Sequence, residues 1–431
     1  MNIPALFKVL VLFIAIVGLY RLKVPLWADL LIVSIMIGLW FEAGITGTLV
    51  AAGKSAVSME CIFLSIVVVL IIGISNIMNE TGVLKRLVGA LTSLLGRSIR
   101  SSAVLPALIG LLPMPGGAVF SAPMVDTACG NGSQTPEQKA AINYWFRHIW
   151  EYWWPLYPGT ILAATLFHTT MSNMLLIHFP LTLAAAAGGY FFILRPSFRK
   201  ELKAAPSTEK IDTRSEAEKA LRESACIIVI ILTIFCAGPV LNLLGVDGLA
   251  AKYWPVIFGV VLGTAWLKFS ERLSVIQTLQ MIFKRNQVDI VLLAVTIMIF
   301  KGMLSQAGAF EQMQADLVRY NMPVIAVIVA LPFIAGIVMG IAIGFVGASF
   351  PIVISMLAAN IMDADARFAY LTLAYSIGYT GMMLSPVHLC LILTKDYFKA
   401  DLLGIYKWLI APACCVTLAG IALHFLYRFI Y

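Results

Sequence analysis

Apolar runs long enough to cross a bilayer recur from one end of this 431-residue chain to the other. Runs of about 17 to 25 residues match a hydrocarbon core about 30 Å thick. Two examples, LFKVLVLFIAIVGLY at residues 6–20 and IFLSIVVVLIIGI at 62–74, are continuous and not alternating. A barrel of alternating strands, each about ten residues long, is thereby excluded, and helices remain. Composition agrees: 61% of residues are hydrophobic and 12% charged, against about 25% charged in a soluble domain. The N-terminus lacks a basic leader and a small-residue cleavage site, so it reads as a retained first span.

The pattern predicts ten spans, at about 5–20, 25–42, 60–78, 141–166, 175–194, 224–244, 252–268, 288–303, 368–392 and 406–428. Residues 195–223 form a plainly hydrophilic linker between two halves, 1–194 and 224–431. Placing that linker in the cytoplasm also puts Arg21, Lys23, Lys85, Arg86, Arg97, Arg100, Arg272, Lys284, Arg285, Lys395 and Lys399 inside, with both termini outside. The net charge of +8 is explained by this bias and implies no nucleic-acid partner. The cysteines Cys61, Cys129, Cys226, Cys236, Cys390, Cys414 and Cys415 show no metal-ligand spacing and read as small buried hydrophobes; no metal site is expected.

The two halves resemble each other. At a shift of 226, Trp40, Val69, Ile71, Gly82, Leu105-Pro106 and Gly110 fall on Trp266, Val295, Ile297, Gly308, Leu331-Pro332 and Gly336. At a shift of 231, Tyr144 and Pro155 fall on Tyr375 and Pro386. With five spans per half, the second copy starts on the opposite side of the membrane, so the repeats are inverted, as in secondary transporters. Each half also holds an apolar stretch interrupted by Gly and Pro, at about 102–129 and 323–358, that reads as a re-entrant hairpin, followed by a Pro-broken helix at 141–166 or 368–392. The predicted fold is an all-α polytopic membrane protein of two such repeats.

The hairpin and broken span LLPMPGGAVFSAP…NYWFRHIWEYWWPLYPG, repeated as GFVGASFP…YSIGYTGMMLSPVHL, resemble the ion transporter superfamily of gluconate, citrate, dicarboxylate and short-chain fatty-acid permeases and sodium/proton antiporters. The chain looks most like a prokaryotic integral-membrane branch of unassigned substrate. The resemblance implies the inner membrane, a homodimer, and an elevator-like mobile part that carries substrate at the hairpin tips. The Ser-Asn-Thr triplet that dicarboxylate carriers bear at each tip is absent here.

Irregular backbone is tolerated at membrane depth only inside protein or around a polar cavity. Pro113, Pro115, Gly116 and Gly117 turn the first hairpin, and the helix starting near Ala118 would present bare N–H groups to an anion. Gly344, Gly347, Ala348 and Ser349 are predicted to form the second tip, with Ser121, Ser349 and Ser385 as hydrogen-bonding groups. Close helix packing is the alternative for these small residues. Arg147 and Glu151, four apart, would share a helix face, with His148 beside them. Buried charges mark substrate or ion routes by default, although a structural ion pair also fits. Arg147 is assigned to the substrate's charge. His148, Glu151 and His388, with carbonyls freed by Pro155 and Pro386, are assigned to a coupling ion, Na+ or H+. The dense Trp and Tyr of this span read as an interfacial belt, and Lys301 as snorkelling to the surface.

The expected function is therefore ion-coupled transport of a small carboxylate-type anion, without enzymatic activity or cofactor. A cation/proton antiporter is the first alternative. An intramembrane enzyme is the second, but HExxH and GxSxG motifs are lacking. One copy of each break per chain also argues against a channel.

Overall fold

A computed structural model describes residues 3–42, 44–95, 98–112, 117–130, 134–196, 213–284, 287–320, 323–359 and 366–430. Among the described residues the chain is helical throughout, with no strand. The first half runs α1 (Ala5–Arg21), α2 (Leu26–Trp40), α3 (Gly44–Ala56), α4 (Met59–Glu80), α5 (Val83–Leu95), α6 (Ile99–Ile109), α7 (Ala118–Cys129), α8 (Pro136–Arg147), α9 (Pro158–Leu166) and α10 (Met171–Gly189), which widens into one π-helical turn over Tyr190–Leu194. The second half runs α11 (Thr213–Leu243), α12 (Gly248–Ser270), α13 (Val275–Ile282), α14 (Val288–Gln306), α15 (Ala309–Arg319), α16 (Val324–Met339), α17 (Ala342–Ala359), α18 (Ala366–Met383), α19 (Leu389–Phe398) and α20 (Leu402–Ile430).

Among the described residues, six helices are long and apolar enough to cross a membrane: Met59–Glu80, Met171–Leu194, Arg214–Gly238, Gly248–Ser270, Val288–Gln306 and Leu402–Ile430. The membrane expectation thus holds at the level of helix length and composition. Helix α11 starts at Thr213, because side-chain pairs Arg214–Glu218 (3.3 Å) and Lys219–Glu216 (2.6 Å) support a helix beyond the apolar run. The rest of the linker, 197–212, lies outside the described residues.

Local signals set the helix ends. Ser58, Thr135 and Thr170 cap α4, α8 and α10 by accepting from Cys61 N, Gln138 N and Asn173 N at 3.2–3.3 Å. Pro136 and Pro158 occupy the first turns of α8 and α9, where no N–H is needed. Gly82 and Gly308 end α4 and α14 in left-handed conformations, with φ of 73° and 64°.

Helix α8 stops at Arg147 and α9 resumes at Pro158, while α18 stops at Met383 and α19 resumes at Leu389. Helix α6 ends at Ile109 and α7 begins at Ala118; Pro113, Pro115 and Gly116, expected to turn the first hairpin, lie outside the described residues. The turn expected at 344–349 lies instead at Gly340, between α16 and α17. Gly340 takes φ of 63°, which ends α16 at once and starts α17 at Ala342, so Gly344, Gly347, Ala348 and Ser349 all lie inside a helix.

The core pairs the halves reciprocally. Helix α6 packs on α7 and α8, and α16 packs on α17 and α18. Across the halves, α7 packs on α19 and α17 on α9. Two glycines fix the depth of this packing. A Cβ on Gly110 would collide with the Arg147 carbonyl, and one on Gly336 with the Gly378 carbonyl. Gly336→Val is therefore expected to destabilise the fold by about 1–3 kcal/mol through overpacking. Gly53→Ala, facing open space within α3, should be neutral or slightly stabilising. Thermal unfolding in detergent checks both, and equal melting temperatures would refute the packing.

Candidate functional site

The first break puts carbonyls in the protein interior without helical partners, and side chains from both halves satisfy them. The Tyr379 hydroxyl donates to the His148 carbonyl (2.6 Å), Thr182 to Ile149 (2.7 Å), and both Tyr375 (2.7 Å) and Thr160 (3.1 Å) to Glu151. His178 Nδ1 lies 2.8 Å from the Tyr152 carbonyl. The second break is held the same way: Tyr144 donates to Met383 (3.1 Å) and Tyr406 to Leu384 (3.1 Å). Tyr144 and Tyr375, which match in the sequence alignment, each cap the break of the opposite half.

The indoles extend this arrangement. Trp150 and Trp154 donate to the Ala107 and Leu111 carbonyls (2.8 Å each), tying the first break to the end of α6. Trp145 donates to Ala185 (2.8 Å), and Trp153 to the Thr182 hydroxyl (2.9 Å). Trp145, Trp153 and Trp154 are buried. The expected interfacial belt is thus corrected: these rings bond interior carbonyls because the broken backbone needs donors more than the lipid surface needs aromatics.

Between the breaks, the second tip and helices α4 and α14 lies a cavity of about 590 Å³. Arg147, His148, Glu151 and His388, singled out from the sequence, all line it. So do Tyr157, Gly159, Cys390 and, from α4, Ser75 and Asn76. Arg147 is buried at 2% exposure. Its guanidinium lies against Gly117, where no Cβ would fit, and Nη1 donates to Cys390 Sγ at 3.5 Å. Arg147 and Glu151 do not share the predicted helix face, because α8 ends at Arg147 and the chain then turns. Instead, His148 Nε2 stands 3.8 Å from Glu151 Oε1, while His148 Nδ1 bonds the Tyr144 carbonyl at 2.6 Å. The rings of His148 and His388 lie edge to face, 4.9 Å apart.

Other predicted site residues stand outside the cavity lining. Ala118 and Ser121 are fully buried in α7, and the Ser121 hydroxyl turns back to the Gly117 and Ala118 carbonyls at 3.4 Å. Gly347 packs on Ile297, Ala348 is buried, and Ser349 donates to Phe345 O at 2.6 Å. Ser385 is at the second tip, where it donates to Ile337 O at 2.6 Å. Pro155 is buried within the first break and Pro386 exposed in the second. Lys301 Nζ is 2.9 Å from Glu60 Oε2, in the first turn of α4, and Lys252 Nζ is 3.3 Å from Glu60 Oε1, so one acid pairs with both lysines.

Two further features escaped the sequence reading. His148, His388 and Cys390 bring one ligand atom each to within 4.8 Å of one another, which corrects the expectation that no cysteine joins a ligand cluster. Asp29 in α2 is fully buried and neither carboxylate oxygen has a partner among the described residues. An acid within an apolar span was the available signal for it.

A family model described as "Protein of unknown function (DUF401)" matches residues 5–427. The chain belongs to this family. No curated protein matches it. Membership in DUF401 therefore spans both breaks and every wall of the cavity, while the activity must be argued from the site itself.

Tyr375→Phe and Tyr379→Phe each remove a donor to a buried carbonyl, and each is expected to cost about 1–3 kcal/mol. The double variant should lose more than either single one. Unfolding midpoints in detergent test this, and wild-type stability of the double variant would show that the break does not need these hydroxyls.

Proposed function

We propose that the chain is a secondary active transporter of a small carboxylate-type organic anion, ion-coupled and working by elevator-like alternating access. In this reading it is built from two inverted repeats, residues 1–194 and 224–431, each with five spans, a re-entrant hairpin and a Pro-broken helix. The matched glycines, the reciprocal tyrosine caps and the exchanged packing of α7 on α19 and α17 on α9 support the repeat. A homodimer in a prokaryotic inner membrane, with both termini outside, follows from the resemblance and the charge bias, not from any contact in the fold.

The observation that carries the reading is the placement of Arg147. Its guanidinium is buried in the wall of a cavity large enough for a small molecule, at the seam where the two breaks meet. A planar, permanently charged group suits bidentate binding of a carboxylate. The apolar remainder of the wall, with Ile71, Leu293 and Ile343, strengthens that attraction by lowering the dielectric around the bound anion. Anion binding is thus assigned to Arg147, and the charge for the coupling cation, Na+ or H+, to Glu151.

Cation/proton antiport is the second reading, favoured by the presence of Glu151 and two histidines in the same wall. The two readings separate in a thermal-shift screen of purified protein against carboxylates, sugar acids and amino acids, with and without sodium. The transporter reading expects stabilisation by an anion, weakened at least about ten-fold in Arg147→Gln, as for the loss of a charged hydrogen bond. Uptake of that anion into proteoliposomes should fall in Arg147→Gln and Glu151→Gln alike. Wild-type uptake in both variants would end the assignment, and sodium/proton exchange with no anion response would establish the antiporter.

A further inference from the structure

The geometry points to a transition-metal site in the cavity wall, formed by His148, His388 and Cys390, for a borderline divalent ion such as Zn2+. The two helix breaks deliver the ligands. His148 closes the end of α8, His388 caps the start of α19, and Cys390 sits in the first turn of α19. Their candidate ligand atoms lie within 4.8 Å of one another. Metal–ligand bonds of about 2.0–2.3 Å require these atoms to close by only about 1 Å around an ion.

The protonation pattern of the histidines fits. His148 commits Nδ1 to the Tyr144 carbonyl (2.6 Å), which fixes the tautomer and turns the Nε2 lone pair toward Glu151. That outer partner is what a metal-ligating histidine characteristically keeps. His388 is 6% exposed and its Nδ1 has no partner among the described residues, an orphaned buried nitrogen that a metal would satisfy. Arg147 donates to the Cys390 sulfur, an outer-shell bond that orients it. Two imidazoles and a thiolate, with the fourth position left to water, are a set suited to Zn2+. Ca2+ and Mg2+, which prefer oxygen, are disfavoured.

The site stands apart from the transport reading, since binding is measured on purified protein with no gradient and no organic ligand. Purified full-length protein in detergent, free of any affinity tag, is titrated with Co2+ and then with Zn2+. One equivalent of Co2+ per chain is expected, with a thiolate-to-cobalt charge-transfer band that Zn2+ abolishes by displacement. Cys390→Ser should remove the band, and His388→Gln should weaken binding at least about ten-fold, whereas Cys226→Ser, remote in α11, should change neither. If the cavity variants fail to fold, X-ray absorption of the zinc-loaded wild type decides, with one sulfur and two imidazoles expected. Folded wild type without a band, retention of full affinity in both cavity variants, or a zinc shell without sulfur would overturn the proposal.

Discussion

A helix that stops inside the protein leaves carbonyls without helical partners, and the two breaks of this chain depend on how those carbonyls are satisfied. Each unsatisfied group costs several kcal/mol in hydrocarbon. The interruptions after Arg147 and Met383 persist because Tyr379, Tyr375, Thr182, Tyr144 and Tyr406 donate into them. Tryptophans do the same for the end of α6. The aromatic richness around residues 144–157 is therefore structural in origin, and the breaks it stabilises create the functional geometry.

The donors for each break include a tyrosine of the opposite half. Tyr144 reaches Met383 and Tyr375 reaches Glu151, while α7 and α17 rest on the resumed helices of the other half. The seam between the halves is thus fixed by directional bonds as well as packing. Arg147, His148, Glu151, His388 and Cys390 are assembled at that seam by the same turns that end and restart the helices. Side chains at a helix end point away from the regular ladder, which is how residues 240 positions apart come to share one cavity.

Much of this was legible in the sequence, because the signals were local. Apolar length marked the spans, prolines marked both breaks, and buried charge marked Arg147 and Glu151. Helices α3, α5, α13 and α15 were not anticipated: they are short, and Val83–Leu95 and Ala309–Arg319 mix apolar and polar faces in place of a spanning run. The second tip was misplaced because several glycines competed, and only backbone geometry shows that Gly340 takes the left-handed turn. The Glu60 cluster was hidden because its lysines lie 192 and 241 residues away. Cys390 was taken for a packing residue because His148, its neighbour in space, belongs to the other half.

The direct measurement is a cryo-EM map of the protein in lipid nanodiscs, where the membrane's own density gives depth. Arg147 is predicted to face a hydrated cavity near mid-bilayer, enclosed by residues 148–157 and 384–388, with neither break in contact with lipid tails. A map that puts both breaks at the headgroups, or turns Arg147 outward into lipid, would contradict it.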